Sequence, residues 1–116
     1  MPQYLLLLHS NPADFTHMGP EEMQAAVQKY MKWADRLRTS GVYKQSHKLT
    51  NEPGRVVRSA GGKTRIIDGP YSETKEVLGG YFLIEAPDYD RALDELRDCP
   101  HLEHGGTVEV RQIDMM

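Results

Sequence analysis

The segment from Pro20 to Ser40 constrains the fold more than any other part of the chain. Met23, Ala26, Val27, Tyr30, Ala34 and Leu37 recur at three- and four-residue steps, which predicts a helix with one apolar stripe to bury. Pro20 suits the first turn, and Glu21 and Glu22 complement its positive end. Arg36 and Arg38 lie in the last turn, and Gly41 closes it. An apolar run, Tyr4 to Leu8, precedes this helix and reads as a central strand buried on both faces. Val42 to Leu49 follows as a second strand, on which Tyr43, Gln45, His47 and Leu49 share one face by the period of two.

A second strand, helix and strand follow in the same order. Tyr81 to Ala86 reads as a strand, and Asp88 can cap a helix that starts after Pro87. Ala92, Leu93 and Leu96 face inward on that helix and Pro100 ends it. Thr107 to Ile113 makes the last strand. Between the two halves, Arg55–Ala60 and Lys63–Ile67 flank Gly61-Gly62, a pair able to take the positive φ values of a tight hairpin. The order is that of an α+β chain with a ferredoxin-like βαββαβ core, an inserted β-hairpin and two helices on one sheet face. Nothing in the chain covers the other sheet face, and an uncovered apolar face marks a partner surface. A homodimer is expected.

Composition narrows the class. The 116 residues make one domain, 1–116, with 39% hydrophobic and 27% charged content, ordinary for a soluble globular protein. The formal net charge of −3 gives no general attraction to nucleic acid. A single cysteine, Cys99, rules out an internal disulfide and suits a reducing compartment; beside Pro100 it reads as a small buried hydrophobe. No 18-residue apolar run exists, so no membrane span is predicted. Leu5 to Leu8 is too short for a signal-peptide core, which makes a cytoplasmic location the default.

The stretch Asp68-Gly69-Pro70-Tyr71-Ser72-Glu73-Thr74-Lys75-Glu76 leads into Gly79-Gly80 and the strand beyond. An aspartate in a turn usually accepts from the N–H two residues ahead. Here that residue is Pro70, which has none. The Asp68 carboxylate must therefore bond further along, pair with a cation, or stay available to a ligand. Together with Tyr81-Phe82-Leu83-Ile84, Cys99-Pro100 and the closing Gly106-Thr107-Val108-Glu109-Val110-Arg111, this stretch resembles the YCII-related proteins, in the subgroup named for an Asp-Gly-Pro-Phe motif. Tyr71 stands where that motif has Phe. The resemblance implies a dimeric α+β barrel, in which two sheets face each other. Some members are thought to use a His–Asp pair with the histidine on the first helix. Counting back from Gly41, that place falls near Tyr30, and the helix holds no histidine, so this role does not carry over.

The candidate site rests on other residues. Asp68 is the acid or orienting group and His47 the base, since an imidazole on a half-polar strand face can exchange protons near neutral pH. Tyr71, Glu73 and Tyr81 are candidate substrate-binding groups. Arg55, Arg58, Lys63 and Arg65 make the hairpin basic, which reads as a solvated ribbon and protects its edges from aggregation. His101 and His104 read as surface histidines in a loop after Pro100, and no metal site is expected. No phosphate-cradling glycine motif follows a strand, so no cofactor is indicated. The expected function is a small-molecule-binding pocket protein or a cofactor-independent acid–base enzyme, isomerase- or lyase-like, with a small aromatic or anionic substrate. The alternative is a non-enzymatic ligand-sensing or accessory protein linked to sigma-factor regulation, which the family resemblance suggests.

Overall fold

The computed structural model describes residues 1–15, 17–69 and 76–115. Six strands and three α-helices follow in order, with a short 3-10 helix (Pro12–Phe15) before the first: β1 (Gln3–Ser10), α1 (Pro20–Thr39), β2 (Tyr43–Lys48), β3 (Arg55–Ala60), β4 (Lys63–Asp68), β5 (Val77–Glu85), α2 (Tyr89–Asp94), α3 (Pro100–Glu103) and β6 (Thr107–Gln112). A four-stranded antiparallel sheet runs in the order β2-β5-β1-β6. Taken without the hairpin, that is the strand order of a ferredoxin-like α+β fold. The hairpin β3-β4 forms a two-stranded sheet of its own. Its turn is Gly61-Gly62 with φ of 58° and 79°, values that other residues rarely adopt, as the sequence predicts.

The core lies between the sheet and the helices. Tyr4, Leu6 and Leu8 of β1 and Phe82 and Ile84 of β5 bury one sheet face against Trp33, Ala34 and Leu37 of α1 and Ala92 of α2. The Trp33 and Phe82 rings sit 4.5 Å apart. Arg36 joins the helical layers: its Nη2 donates to Asp98 Oδ1 at 2.7 Å and to the Glu95 carbonyl at 2.8 Å, and Nη1 to Glu95 Oε2 at 2.9 Å. Trp33 Nε1 donates to the same Glu95 carbonyl at 3.0 Å.

Four expectations are corrected. β1 is buried on one face only; Leu5 and Leu7 on the other remain half-exposed, because this sheet has a single helical layer. The buried stripe of α1 is Ala26, Trp33, Ala34 and Leu37, while Met23 and Val27 point to solvent. The stripe lies one step round the helix because the bulk of Trp33 fills the space over Phe82. Third, the helix after Asp88 is shorter than predicted and Leu93 is exposed. Asp88 does cap it, accepting from the Arg91 amide at 2.9 Å. Pro100 opens α3 rather than simply ending α2, in keeping with proline's preference for a first helical turn.

The fourth correction concerns β2. Tyr43 pairs with Ile84, yet Gln45 pairs with Leu83, so a bulge at Lys44 inserts one extra residue. Tyr43 is thereby on the helix side, with its ring 6.2 Å from Phe82 and its hydroxyl 2.6 Å from Ser46 Oγ. Gln45 and His47 are on the opposite side. The period of two survives on each side of the bulge but not across it.

Candidate functional site

The sheet face that the described residues leave uncovered places together residues that the sequence scatters. Cross-strand partners share a face, so Leu5 and Leu83, Leu7 and Tyr81, and His47 and Tyr81 all lie on it. Its centre is apolar, with half-exposed Leu5, Leu7 and Leu83. Polar groups gather at the end nearest the hairpin. His47 Nδ1 is 2.8 Å from the Tyr81 hydroxyl, with the rings 5.6 Å apart. On the other side of Leu7, His9 Nε2 lies 3.2 Å from Glu109 Oε1. Two imidazoles, a phenol and a carboxylate can donate, accept and exchange protons at this end of the face.

A close strand approach fixes the geometry under His47. A Cβ on Gly80 would stand 2.9 Å from the His47 carbonyl oxygen, so only glycine lets β5 approach β2 this closely. At the neighbouring Gly79 the register of β1 on β5 slips by one residue.

Asp68 lies elsewhere. It ends β4 in the separate two-stranded sheet, with an 86% exposed side chain, and its carboxylate is 3.3 Å from Arg55 Nε. Among the described residues no hydrogen bond or ion pair joins it to His47, whose partner is Tyr81. Gly69 beside it donates its amide to the Gly54 carbonyl at 3.0 Å and leaves no room for a Cβ against the Pro53 carbonyl. Tyr71 and Glu73 lie outside the described residues.

A buried pair escaped the sequence reading. His101 is 4% exposed, in α3, and not on the surface. Its Nε2 is 2.7 Å from the His9 carbonyl oxygen, which can only accept, so Nε2 carries the proton. Nδ1 then accepts from the Tyr30 hydroxyl at 2.8 Å. Burial lowers the His101 pKa, and burial pushes Tyr30 up to about 12, which keeps the ring neutral and the phenol protonated. A Cβ on Gly106 would collide with the imidazole. The pair sits at the root of His9, whose side chain reaches Glu109 on the open face. His9 was missed because the strand was ended at Leu8; the signal that could have placed it is that Gln3, Leu5, Leu7 and His9 continue one alternation. Buried Cys99, its thiol pKa raised by burial, fits the expected small hydrophobe. No group of three or more metal-ligating side chains stands together among the described residues, and no helix is long and apolar enough to cross a membrane.

Sheet order and helix placement define a small ferredoxin-like α+β protein with one sheet face that the described residues leave uncovered. The chain matches the YCII-related domain over residues 2–116 and belongs to that family. It is 41% identical over 59 residues to the uncharacterised protein R00369 of Rhizobium meliloti (strain 1021); the match takes in 50% of this chain and 48% of that protein, so the chain spans about half the length of this relative. A crystal structure described as an amidohydrolase or peptidase from Burkholderia cenocepacia aligns with 97% of this chain and 27% of its own, at 18% identity and a TM-score of 0.29. That likeness is too slight to bear on function.

Proposed function

We propose that this YCII-related protein works as a homodimer closed through the open sheet faces, with a small-molecule pocket at the seam and His47 and Tyr81 on its floor. The hydrogen bond of 2.8 Å between His47 and Tyr81, on a face that the described residues leave uncovered, carries this reading. Apolar Leu5, Leu7 and Leu83 supply the hydrophobic lining that small ligands need, and a few convergent polar groups supply orientation. In this reading His47 donates from Nδ1 to the Tyr81 oxygen, which leaves Nε2 to take a proton from the substrate and the Tyr81 hydroxyl hydrogen to polarise the group that gains charge, chemistry that needs no cofactor. The substrate class is a small aromatic or anionic compound. Asp68, 86% exposed beside Arg55 in the separate hairpin, stands outside this site.

The test is amide-resolved NMR titration with benzoate and phenol. The expected result is shifts at Gln45–Lys48 and Gly80–Leu83, lost in the His47→Gln, Tyr81→Phe double variant. Shifts confined to other segments, or none with either probe, overturn the assignment.

A further inference from the structure

We infer that the β3-β4 hairpin is an exchanged arm, which docks against the body of a second copy of this chain. The inference rests on the homodimer proposed above and adds to it a second contact.

The arm is not built to stand in water alone. In β3 only Val56 is half-buried, and every residue of β4 is exposed. A lone two-stranded ribbon is marginal unless a further surface packs on it. Its two faces differ in chemistry. Register sets Val57 opposite Ile66 on one side, at 62% and 69% exposure, between the Arg55–Asp68 pair and the Ser59–Thr64 pair. The opposite side sets Arg58 against Arg65 between the Val56–Ile67 pair and the Ala60–Lys63 pair, so its apolar pair is flanked by cations. A paired Val and Ile at this exposure form an apolar patch with neutral surroundings, suited to contact with protein.

Shape and charge name the occupant. The radius of gyration is 16.1 Å, against about 13 Å for a compact chain of this length, and β3 and β4 pair with each other but not with the main sheet. Residues 55–68 hold four of the 14 cations of the chain and one of its 17 acids. The arm is therefore +3 on a chain of net −3, and the rest of each copy carries −6. An arm of one sign reaching from a body of the other is attracted to a second body of the same kind, which steers association and sets partner choice. Two-fold symmetry makes the exchange reciprocal, so each dimer gains two such contacts.

The experiment mixes two versions of the full chain. One carries a nitroxide at Thr64→Cys, with Cys99 buried and protected from labelling; the other is isotope-labelled and unmodified. The expected result is broadening of body amides in the unmodified copy, together with a dimer dissociation constant raised at least about tenfold by Val57→Asn with Ile66→Asn, and raised further by salt. Broadening restricted to hairpin amides, so that arms meet only arms, overturns the inference. So does a dimer whose constant is unmoved by the double substitution, in which case the arm serves a different partner and the closed-face dimer stands. A monomer at every concentration overturns both readings.

Discussion

The Tyr30 hydroxyl donates to Nδ1 of His101 at 2.8 Å, and the same ring donates from Nε2 to the carbonyl of His9. One imidazole thus ties α1, α3 and the end of β1 together. Replacing Tyr30 with Phe removes the donor and leaves Nδ1 unpaired in a buried place. An unsatisfied buried acceptor costs about 1–3 kcal/mol, so thermal unfolding of Tyr30→Phe is expected several degrees below the parent. Calorimetry at fixed concentration checks it.

The same ring sets a pH dependence. Burial holds the folded pKa of His101 below the ordinary histidine value of about 6.5. Below that value the unfolded chain takes up a proton that the folded chain refuses. The contribution is therefore full above about pH 6.5 and declines as pH falls toward the lowered folded value. Between pH 7.5 and pH 5 the melting temperature of the parent should fall more steeply than that of His101→Gln, which has nothing to titrate there. Parallel slopes would remove His101 from the acid limb.

Arg36 makes a different kind of tie, through a two-pronged contact with Asp98 and two further bonds to Glu95. Charge-assisted bonds of this geometry depend on the planar guanidinium. Arg36→Ala is expected to destabilise by about 2 kcal/mol, and Arg36→Lys to recover less than half of that, since an ammonium cannot serve Asp98 and Glu95 together. Urea unfolding of the three proteins measures both effects.

The order of elements was legible because each has its own period and its own punctuation: Gly41 after α1, Gly61-Gly62 in the hairpin, Asp88 before α2. Three features had no such signal. The bulge at Lys44 has no sequence marker, so Tyr43 was read onto the face of His47. The burial of His101 depends on Tyr30, 71 residues away, and on Gly106, and the four residues of α3 are too few to show a period. The face chosen by α1 was misread because spacing alone does not weigh Trp33 against Met23 and Val27. At the candidate site, His47 and Tyr81 were each singled out, but their contact comes from the pairing of β2 with β5.

Bonding along its loop, pairing with a cation and serving a ligand were all open to Asp68, and its partner is an exposed arginine. Exposed ion pairs contribute little. Asp68→Asn should therefore melt within about 2 °C of the parent. A larger loss would show that the carboxylate holds more of the fold than its contact with Arg55.

Gly79 and Gly80 are neighbours with opposite tolerances. A methyl at Gly80 meets the His47 carbonyl oxygen at 2.9 Å and Lys48 Cα at 3.4 Å, both backbone atoms of β2, which cannot swing aside as a side chain would. At Gly79 the nearest atoms are the Leu8 carbonyl at 3.9 Å and Ser10 Oγ at 4.0 Å, ordinary contact distances. Gly80→Ala should therefore push β2 away from β5, at a cost of about 1–3 kcal/mol, and lengthen the contact between His47 and Tyr81. Gly79→Ala should leave stability unchanged or raise it, since alanine lowers the entropy of the unfolded chain. Unfolding curves rank the two variants. The imidazole and phenol signals of His47 and Tyr81 in the Gly80→Ala spectrum report whether the strand moved. If both variants melt alike and those signals stay fixed, the close approach of β2 to β5 is not what positions His47.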